Sequence, residues 1–264
     1  MKKYLKRIVP ASAINLASML LSYSRLKVKN YVAYTNATKN LSGIEIGGPS
    51  TIFRSKLPVY ESCLDMSFVN FSNNTIWEGE LSHSVNYHRK KIGQQYIAEA
   101  ADLSIFSDKQ FDFLLSSNCL EHVANPIKAM SGWKRITSRS IILLLPRKDF
   151  NFDHKRPITS FEHLIEDFNN DVDESDLTHL DEILSLHDLK LDPPAGSLEQ
   201  FHQRSLDNIN NRCLHHHVFD NDLVFKICDY LSMTIVEQTS SNSDWIFLID
   251  TNHLRRKEQT IDNT

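Results

Sequence analysis

The sequence predicts an α/β protein built on a mostly parallel sheet, and three features carry that reading. Residues 141–145 are a continuous apolar run and 111–115 are one broken only by Asp112, the pattern of strands buried on both faces of a parallel sheet. Between them Val123, Ile127, Met130, Trp133 and Ile136 recur at helical spacing, which makes a β-α-β unit with a right-handed crossover. A further strand, 42–46, runs into Gly47-Gly48-Pro49-Ser50, a tight turn at a strand end.

The other elements follow in order. Residues 59–64 form the next apolar strand and end at Asp65, and a third strand end falls at 98–103, where Asp102 precedes Leu103. Residues 233–238 and 245–249 are a terminal pair whose short polar connection favours antiparallel pairing. Between 145 and 233 the pattern is helical and acidic. Thr159 with Glu162 reads as a capping box opening a helix over 159–168. A second helix covers 177–187, Pro193-Pro194 is a break, and Asp220 caps a third helix over 222–231. This divides the chain into a basic N-terminal helical segment (1–40), a core (41–146), a helical insertion (147–214), the C-terminal part of the core (215–252) and a polar tail (253–264).

Composition bounds the function. With 264 residues, 41% hydrophobic and 23% charged, the chain suits a soluble globular fold and excludes a disordered tail, a collagen-like fibre and a multi-span membrane protein. Cys63, Cys119, Cys213 and Cys228 form no CxxC pair, so a disulfide scaffold and a zinc knuckle both fail on spacing, and a reduced cytoplasmic protein is expected. Charge is polarised beneath the net −4: residues 1–40 hold eight Lys or Arg and no acid, whereas 149–188 hold twelve acids against Lys155 and Arg156. Ile14, Ala17, Leu20 and Leu21 make the basic end an amphipathic helix, expected to pack on the domain, with peripheral contact at the inner membrane surface as the sharper reading. No run of about 18 apolar residues occurs, so nothing is expected to span a bilayer.

The chemistry gathers at strand ends. A strand that closes on glycines brings backbone N–H groups to a ligand at the carboxyl edge of a sheet, and an acid about 20 residues later is the expected partner of ribose hydroxyls. Asp65 stands there. A dinucleotide-binding oxidoreductase would need G-x-G-x-x-G after the first strand, and Gly47-Gly48-Pro49 does not supply it. Ile44-Glu45-Ile46-Gly47, Asp65, Asp102-Leu103, Phe111-Asp112-Phe113-Leu114-Leu115-Ser116-Ser117 and Leu120-Glu121-His122-Val123 succeed one another in an order that resembles the class I S-adenosylmethionine-dependent methyltransferases. The resemblance is strong over 42–146 and loose over 215–250. It implies a Rossmann-like, seven-stranded sheet with an antiparallel last strand, and S-adenosyl-L-methionine as cofactor. It also implies a site in which Glu45, Gly47, Gly48 and Ser50 form the first loop, Asp65 holds the ribose, Asp102 and Leu103 meet the adenine, and Ser117 and Asn118 lie at the methionine end. Pro49 stands where the family has its second glycine and removes an N–H donor. A non-catalytic, methyltransferase-like scaffold for another enzyme is therefore the alternative.

Methyl transfer to oxygen needs an in-line nucleophile and a base to take its proton. His154, in Phe152-Asp153-His154-Lys155-Arg156-Pro157 beyond the strand ending at Pro146, is the expected base, with Asp153 or Arg156 orienting the acceptor. His122, which opens the helix after the fourth strand (111–115), is the further candidate. Consecutive side chains of His215-His216-His217 point to opposite faces of an extended segment, so the three do not converge on one metal without a turn, and a divalent-metal site completed by Asp or Glu of the acidic insertion is the alternative reading. No metal ligand is assigned, and one or two of these histidines are expected to line the acceptor pocket. The acidic insertion disfavours nucleic acid and suits a small-molecule or glycan acceptor, because carboxylates accept hydrogen bonds from hydroxyls. Residues 152–163 resemble bacterial surface-glycan O-methyltransferases, which implies a sugar hydroxyl as acceptor.

Overall fold

The computed structural model of the chain describes residues 27–252. The amphipathic helix expected around 14–24 and the tail 253–264 lie outside the described residues. The strands are β1 (Ser42–Ile46), β2 (Asp65–Asn70), β3 (Asn74–Thr75), β4 (Gly79–Glu80), β5 (Ser84–His88), β6 (Lys91–Ile97), β7 (Phe111–Ser117), β8 (Thr137–Pro146), β9 (Thr234–Ser240) and β10 (Asp244–Asp250). β3 and β4 pair with each other, and the rest form one 8-stranded sheet in the order β5-β6-β2-β1-β7-β8-β10-β9. Neighbours from β6 to β8 run parallel. β10 is antiparallel to both β8 and β9, and β5 is antiparallel to β6. The α/β, mostly parallel architecture with an antiparallel end is the predicted one, and the added strand is β5 at the edge.

The helices are α1 (Tyr31–Thr38), α2 (Thr51–Arg54), α3 (Val59–Ser62), α4 (Pro126–Ile136), α5 (Phe161–Asn169), α6 (Leu180–Leu186), α7 (Leu198–Leu206), α8 (Asn208–Asn211) and α9 (Asn221–Tyr230). The continuous apolar run of β8 explains how they layer. Ile142 and Leu144 face one side of the sheet, with Phe68, Phe113 and Ile246, against Tyr34 of α1, Phe53 of α2 and Tyr60 of α3. Ile141, Leu143 and Leu145 face the other, against Ile127, Met130 and Trp133 of α4 and Leu223 and Ile227 of α9. Strands buried on both faces have no polar side to alternate with, which is why they read as unbroken apolar stretches. Residues 147–214 carry a small core of their own, in which Ile183, Ala195, Phe201 and Leu214 pack together. Among the described residues no helix is long and apolar enough to cross a membrane.

Helix starts follow capping chemistry. Asn125 Oδ1 accepts from Lys128 N at 3.1 Å ahead of Pro126, and Asp220 Oδ1 accepts from Leu223 N at 2.8 Å to cap α9 as predicted. Two local readings are corrected. Residues 59–64 do not form a strand: they begin with α3, directly after Pro58, and the strand is β2, where Met66 and Phe68 point into the core. The cap of α5 is Ser160, whose hydroxyl accepts from His163 N at 3.2 Å, rather than Thr159. Thr159 is occupied elsewhere, its Oγ1 accepting from Val218 N at 3.0 Å.

Trp133 is fully buried and its indole N–H donates to Ala100 O at 2.9 Å. Trp133→Ala is expected to lower stability by about 3–5 kcal/mol through the cavity it leaves. Urea denaturation reads this, and a loss below about 1 kcal/mol would contradict the packing described.

Candidate active site

β1 has β2 and β6 on one side and β7 and β8 on the other, so the strand order reverses between β1 and β7. The carboxyl ends of those two strands meet at Ile46 and Ser116. Open α/β sheets bind ligands in the crevice at such a reversal. A cavity of about 520 Å³ lies there, within the usual size for a small-molecule site.

The loop after β1 forms one wall. Gly47 has φ +80°, and a Cβ there would lie 3.1 Å from the Cys119 side chain. A Cβ on Gly48 would collide with the Glu45 carboxyl group. The Gly48–Pro49 peptide is cis. Ser50 N donates to Glu45 Oε1 and to the Tyr60 hydroxyl oxygen, each at 3.0 Å, and the Tyr60 hydroxyl donates to Glu45 Oε2. Burial pushes the Glu45 carboxyl up to about 7 against these hydrogen bonds. Glu45 and Gly48 thus shape the loop from behind, while Gly47, Pro49 and Ser50 line the cavity. Across it, Ser117 and Asn118 line the wall after β7, with Asn118 Nδ2 donating to Asp244 Oδ1 at 3.3 Å.

Three of the residues assigned to the cofactor lie elsewhere. Asp65 opens β2 instead of ending it, so it sits at the amino edge of the sheet, where its Oδ2 accepts from Ser42 Oγ at 3.1 Å. The carboxyl end of β2 is Asn70, which lines the cavity and donates from Nδ2 to Gly48 O at 2.9 Å. Glu78, from the turn between β3 and β4, faces the same space. Asp102 is exposed and closes a turn, accepting from Ser104 N at 3.0 Å, and Leu103 belongs to the core. Because β6 stops at Ile97, the residues that reach the cavity from it are Ala98, Glu99 and Ala100.

The residues expected to serve the acceptor point in different directions. His154 is not at the cavity: its Nε2 meets Asp188 Oδ2 at 3.0 Å, out on the insertion. Asp153 points the opposite way, inward, and its Oδ2 accepts from His215 Nδ1 at 2.5 Å. Arg156 is also buried and donates to Asp153 Oδ1 at 3.1 Å, so it orients the aspartate and touches no ligand space. His215 lines the cavity beside His122, their rings 4.5 Å apart. His122 Nδ1 donates to Leu214 O at 3.1 Å, which leaves Nε2 unprotonated in the neutral ring. Burial, then the charge of His215, holds His122 well below the ordinary histidine value. For His215, burial opposes protonation but the Asp153 carboxylate outweighs it, and the imidazole is shifted up. Asp153 resists the cost of burial through His215 and Arg156 and is drawn down to about 2.

Glu121 is 1% exposed and lines the cavity, and neither carboxylate oxygen has a hydrogen-bond partner among the described residues. Burial pushes it up to about 7 against the pull of His215. A buried carboxyl group without partners is a place for a cationic or hydrogen-bond-donating ligand.

Residues 65–145 match the family described as methyltransferase domain, a segment from the start of β2 into β8 that begins after the Gly47–Ser50 loop. That match supports a class I S-adenosylmethionine-dependent methyltransferase, with S-adenosylmethionine as its cofactor. No curated protein matches the chain. Among solved structures, it is similar to a chain of the complex containing the Haloferax volcanii Trm112 methyltransferase activator, at 8% identity and TM-score 0.48, covering 93% of this chain and 95% of that one. Magnesium protoporphyrin IX methyltransferase of Synechocystis PCC 6803, with bound SAH, aligns at 11% identity and TM-score 0.40, over 95% and 90% of the two chains. A SAM dependent methyltransferase of Aquifex aeolicus aligns at 7% identity and TM-score 0.45, over 89% and 97%.

The residues present fit that cofactor. It carries a sulfonium and an ammonium group, for which the partnerless Glu121 carboxyl group is suited, and a ribose, for which Asn70 offers a polar side chain. The glycine loop leaves backbone space beside them. Asn70 and Glu99 were missed because the strands that present them were misplaced. The inward alternation of Met66 and Phe68, with Pro58 ahead of a helix, is the signal that would have found β2.

Two expectations follow for the purified protein. Asn70→Ala should weaken S-adenosylmethionine binding about tenfold in calorimetry, the worth of one hydrogen-bonding group, while Asp65→Ala leaves it unchanged. The reverse pattern would return the ribose to Asp65. Glu121 titrates at about 7 when folded against 4.5 ordinarily, so the folded state holds the extra proton in that window and wild-type stability falls as pH rises through it. The stability advantage of Glu121→Gln over wild type should therefore grow between about pH 5 and pH 8 in urea titrations. A difference that stays constant with pH would mean Glu121 ionises normally.

Proposed function

We propose that the chain transfers the methyl group of S-adenosylmethionine to a hydroxyl of a sugar or glycan, with His215 taking the hydroxyl proton. One observation carries this reading: the His215–Asp153 pair opens onto the same cavity as the Gly47–Ser50 loop. The cofactor supplies the electrophilic methyl group. His215 Nδ1–H donates to Asp153, which fixes the tautomer and leaves Nε2 with the lone pair that accepts a proton. Asp153 then stabilises the imidazolium, and it stays ionised because Arg156 holds its other oxygen. His122 packs edge-on against His215 and against Trp77 and confines the ring.

The lining supports a polyhydroxylated acceptor. Glu78, Glu99 and Glu174 offer acceptor oxygens for hydroxyl groups, and Trp77 and Phe152 offer flat apolar faces for a sugar ring. The same carboxylates disfavour a polyanionic nucleic acid. The partnerless carboxyl group of Glu121 favours a ligand site over a scaffold that binds none.

The experiment is transfer of labelled methyl from S-adenosylmethionine to nucleotide-sugar and oligosaccharide acceptors. His215→Gln should lower turnover about 10²–10⁴-fold while calorimetric cofactor binding persists. With the base required in its neutral form, the wild-type rate should rise with pH through the elevated His215 value. Asp153→Asn removes the charge that elevates it and should move that limb to lower pH. Undiminished turnover in His215→Gln would remove His215 from the chemistry.

A further inference from the structure

Three histidines far apart in sequence meet on the insertion side of the site. His163 lies on α5, His179 immediately precedes α6, and His217 lies in the extended segment before α9. One ligand atom from each lies within 4.8 Å of the others. His163 Nε2 and His179 Nε2 face each other at 2.8 Å. Asp167, one turn after His163, brings Oδ2 to 3.3 Å from His163 Nε2, and that oxygen is buried without a hydrogen-bond partner. His217 Nε2 stands 3.7 Å from Asp167 Oδ2 and donates to Ala124 O at 3.0 Å, while Nδ1 is buried without a hydrogen-bond partner. Ligation through Nδ1 would keep the Ala124 carbonyl on the second nitrogen, the usual support of a metal-bound histidine, and ligation through Nε2 would exchange that carbonyl for the ion.

We propose that His163, His179 and His217, with Asp167, form a structural zinc site. Zinc–ligand bonds of about 2.0–2.1 Å in a tetrahedron place neighbouring donor atoms about 3.3 Å apart. The observed separations of 2.8 and 3.3 Å straddle that spacing. Three imidazoles and one carboxylate suit zinc better than calcium or magnesium, which take mainly oxygen donors. The ion would clip α5, the start of α6 and the 212–220 segment together against the loop at Ala124. His217 is two residues from His215, so the clip would also hold the backbone that carries the base. The site stands independently of whether the cavity transfers a methyl group.

The test uses untagged full-length protein stripped with a chelator, titrated with Zn²⁺ in competition with a chromophoric chelator and with Co²⁺ for its visible d–d bands. Wild type should take up one equivalent, with a rise in melting temperature. His179→Ala and His163→Gln should each weaken binding about 100-fold or more, since losing a ligand exceeds the loss of an outer partner. Circular dichroism of the stripped proteins shows that the variants fold, and His163→Gln, on a half-exposed ring, serves if His179→Ala does not. His122→Gln is the control, because Glu121, His122 and His215 are also within ligand distance of one another. No stoichiometric uptake by folded wild type would overturn the proposal. So would uptake that survives both variants, or uptake lost only in His122→Gln, which would put the ion in the cavity.

Discussion

A buried cation holds the acceptor half of the site together. Arg156 is 1% exposed, and its guanidinium donates to Asp153 Oδ1 at 3.1 Å, Glu182 Oε1 at 2.9 Å, His215 O at 2.7 Å and His216 O at 3.2 Å. Taking such a group out of water costs several kcal/mol, and only a full set of partners offsets it. The planar fork meets that need by gathering three separate segments: the turn after β8, helix α6 and the strand-like stretch before α9. Asp153 is therefore bound on both oxygens, by Arg156 on one and His215 on the other. The histidine that lines the cavity is placed by a residue that never touches it.

The same logic separates the carboxyl groups around the cavity. Glu45, Glu121 and Asp153 are all buried, yet the first two are pushed up to about 7 while Asp153 is drawn down to about 2. Burial acts alike on all three, so partners decide. Asp153 has a guanidinium and the Nδ1–H of an imidazole. Glu45 has a neutral hydroxyl and one backbone N–H, enough to fix a loop and too little to hold a charge. The Glu121 carboxyl group has no hydrogen-bond partner among the described residues. These differences assign a fixed anion, a loop brace and a ligand-facing group to three residues of nearly identical chemistry.

How much of this was legible in the sequence depended on where each element is buried. β7, β8 and β10 announce themselves because burial on both faces leaves apolar runs, broken only at Asp112 of β7. β6 does not: Gly93, Gln94 and Gln95 interrupt it, so its end was expected at Asp102, although the strand stops at Ile97 and Glu99 lines the cavity. The stretch before β2 contains Val59, Tyr60 and Leu64, apolar enough to pass for a strand, and that exchange carried the ribose acid to the wrong edge of the sheet. The choice between Asp153 and His154 was beyond reach for another reason. Neighbouring side chains diverge, and which of them faces inward is set by Arg156, whose other partners are distant in sequence. Likewise only the folded chain distinguishes His215 at the cavity from His217 beside His163 and His179.

The two halves of the site consequently answer to different constraints. The cofactor half is made by strand ends, and its geometry follows from the reversal between β1 and β7: any chain with that order opens a crevice there. The acceptor half comes from residues 147–217, which pack on a small core of their own and reach the cavity through Asn151, Phe152, Glu174, Arg212 and His215. The halves meet through the contact of His122 with His215, the Arg212–Glu99 ion pair at 2.7 Å and the hydrogen bonds that Ala124 makes with Glu174 and His217. A division of this kind lets the insertion change its contents without disturbing the loop that Glu45 braces. Sequence motifs were accordingly readable in the sheet and silent in the insertion, where the positions that matter are set by mutual contact rather than by chain topology.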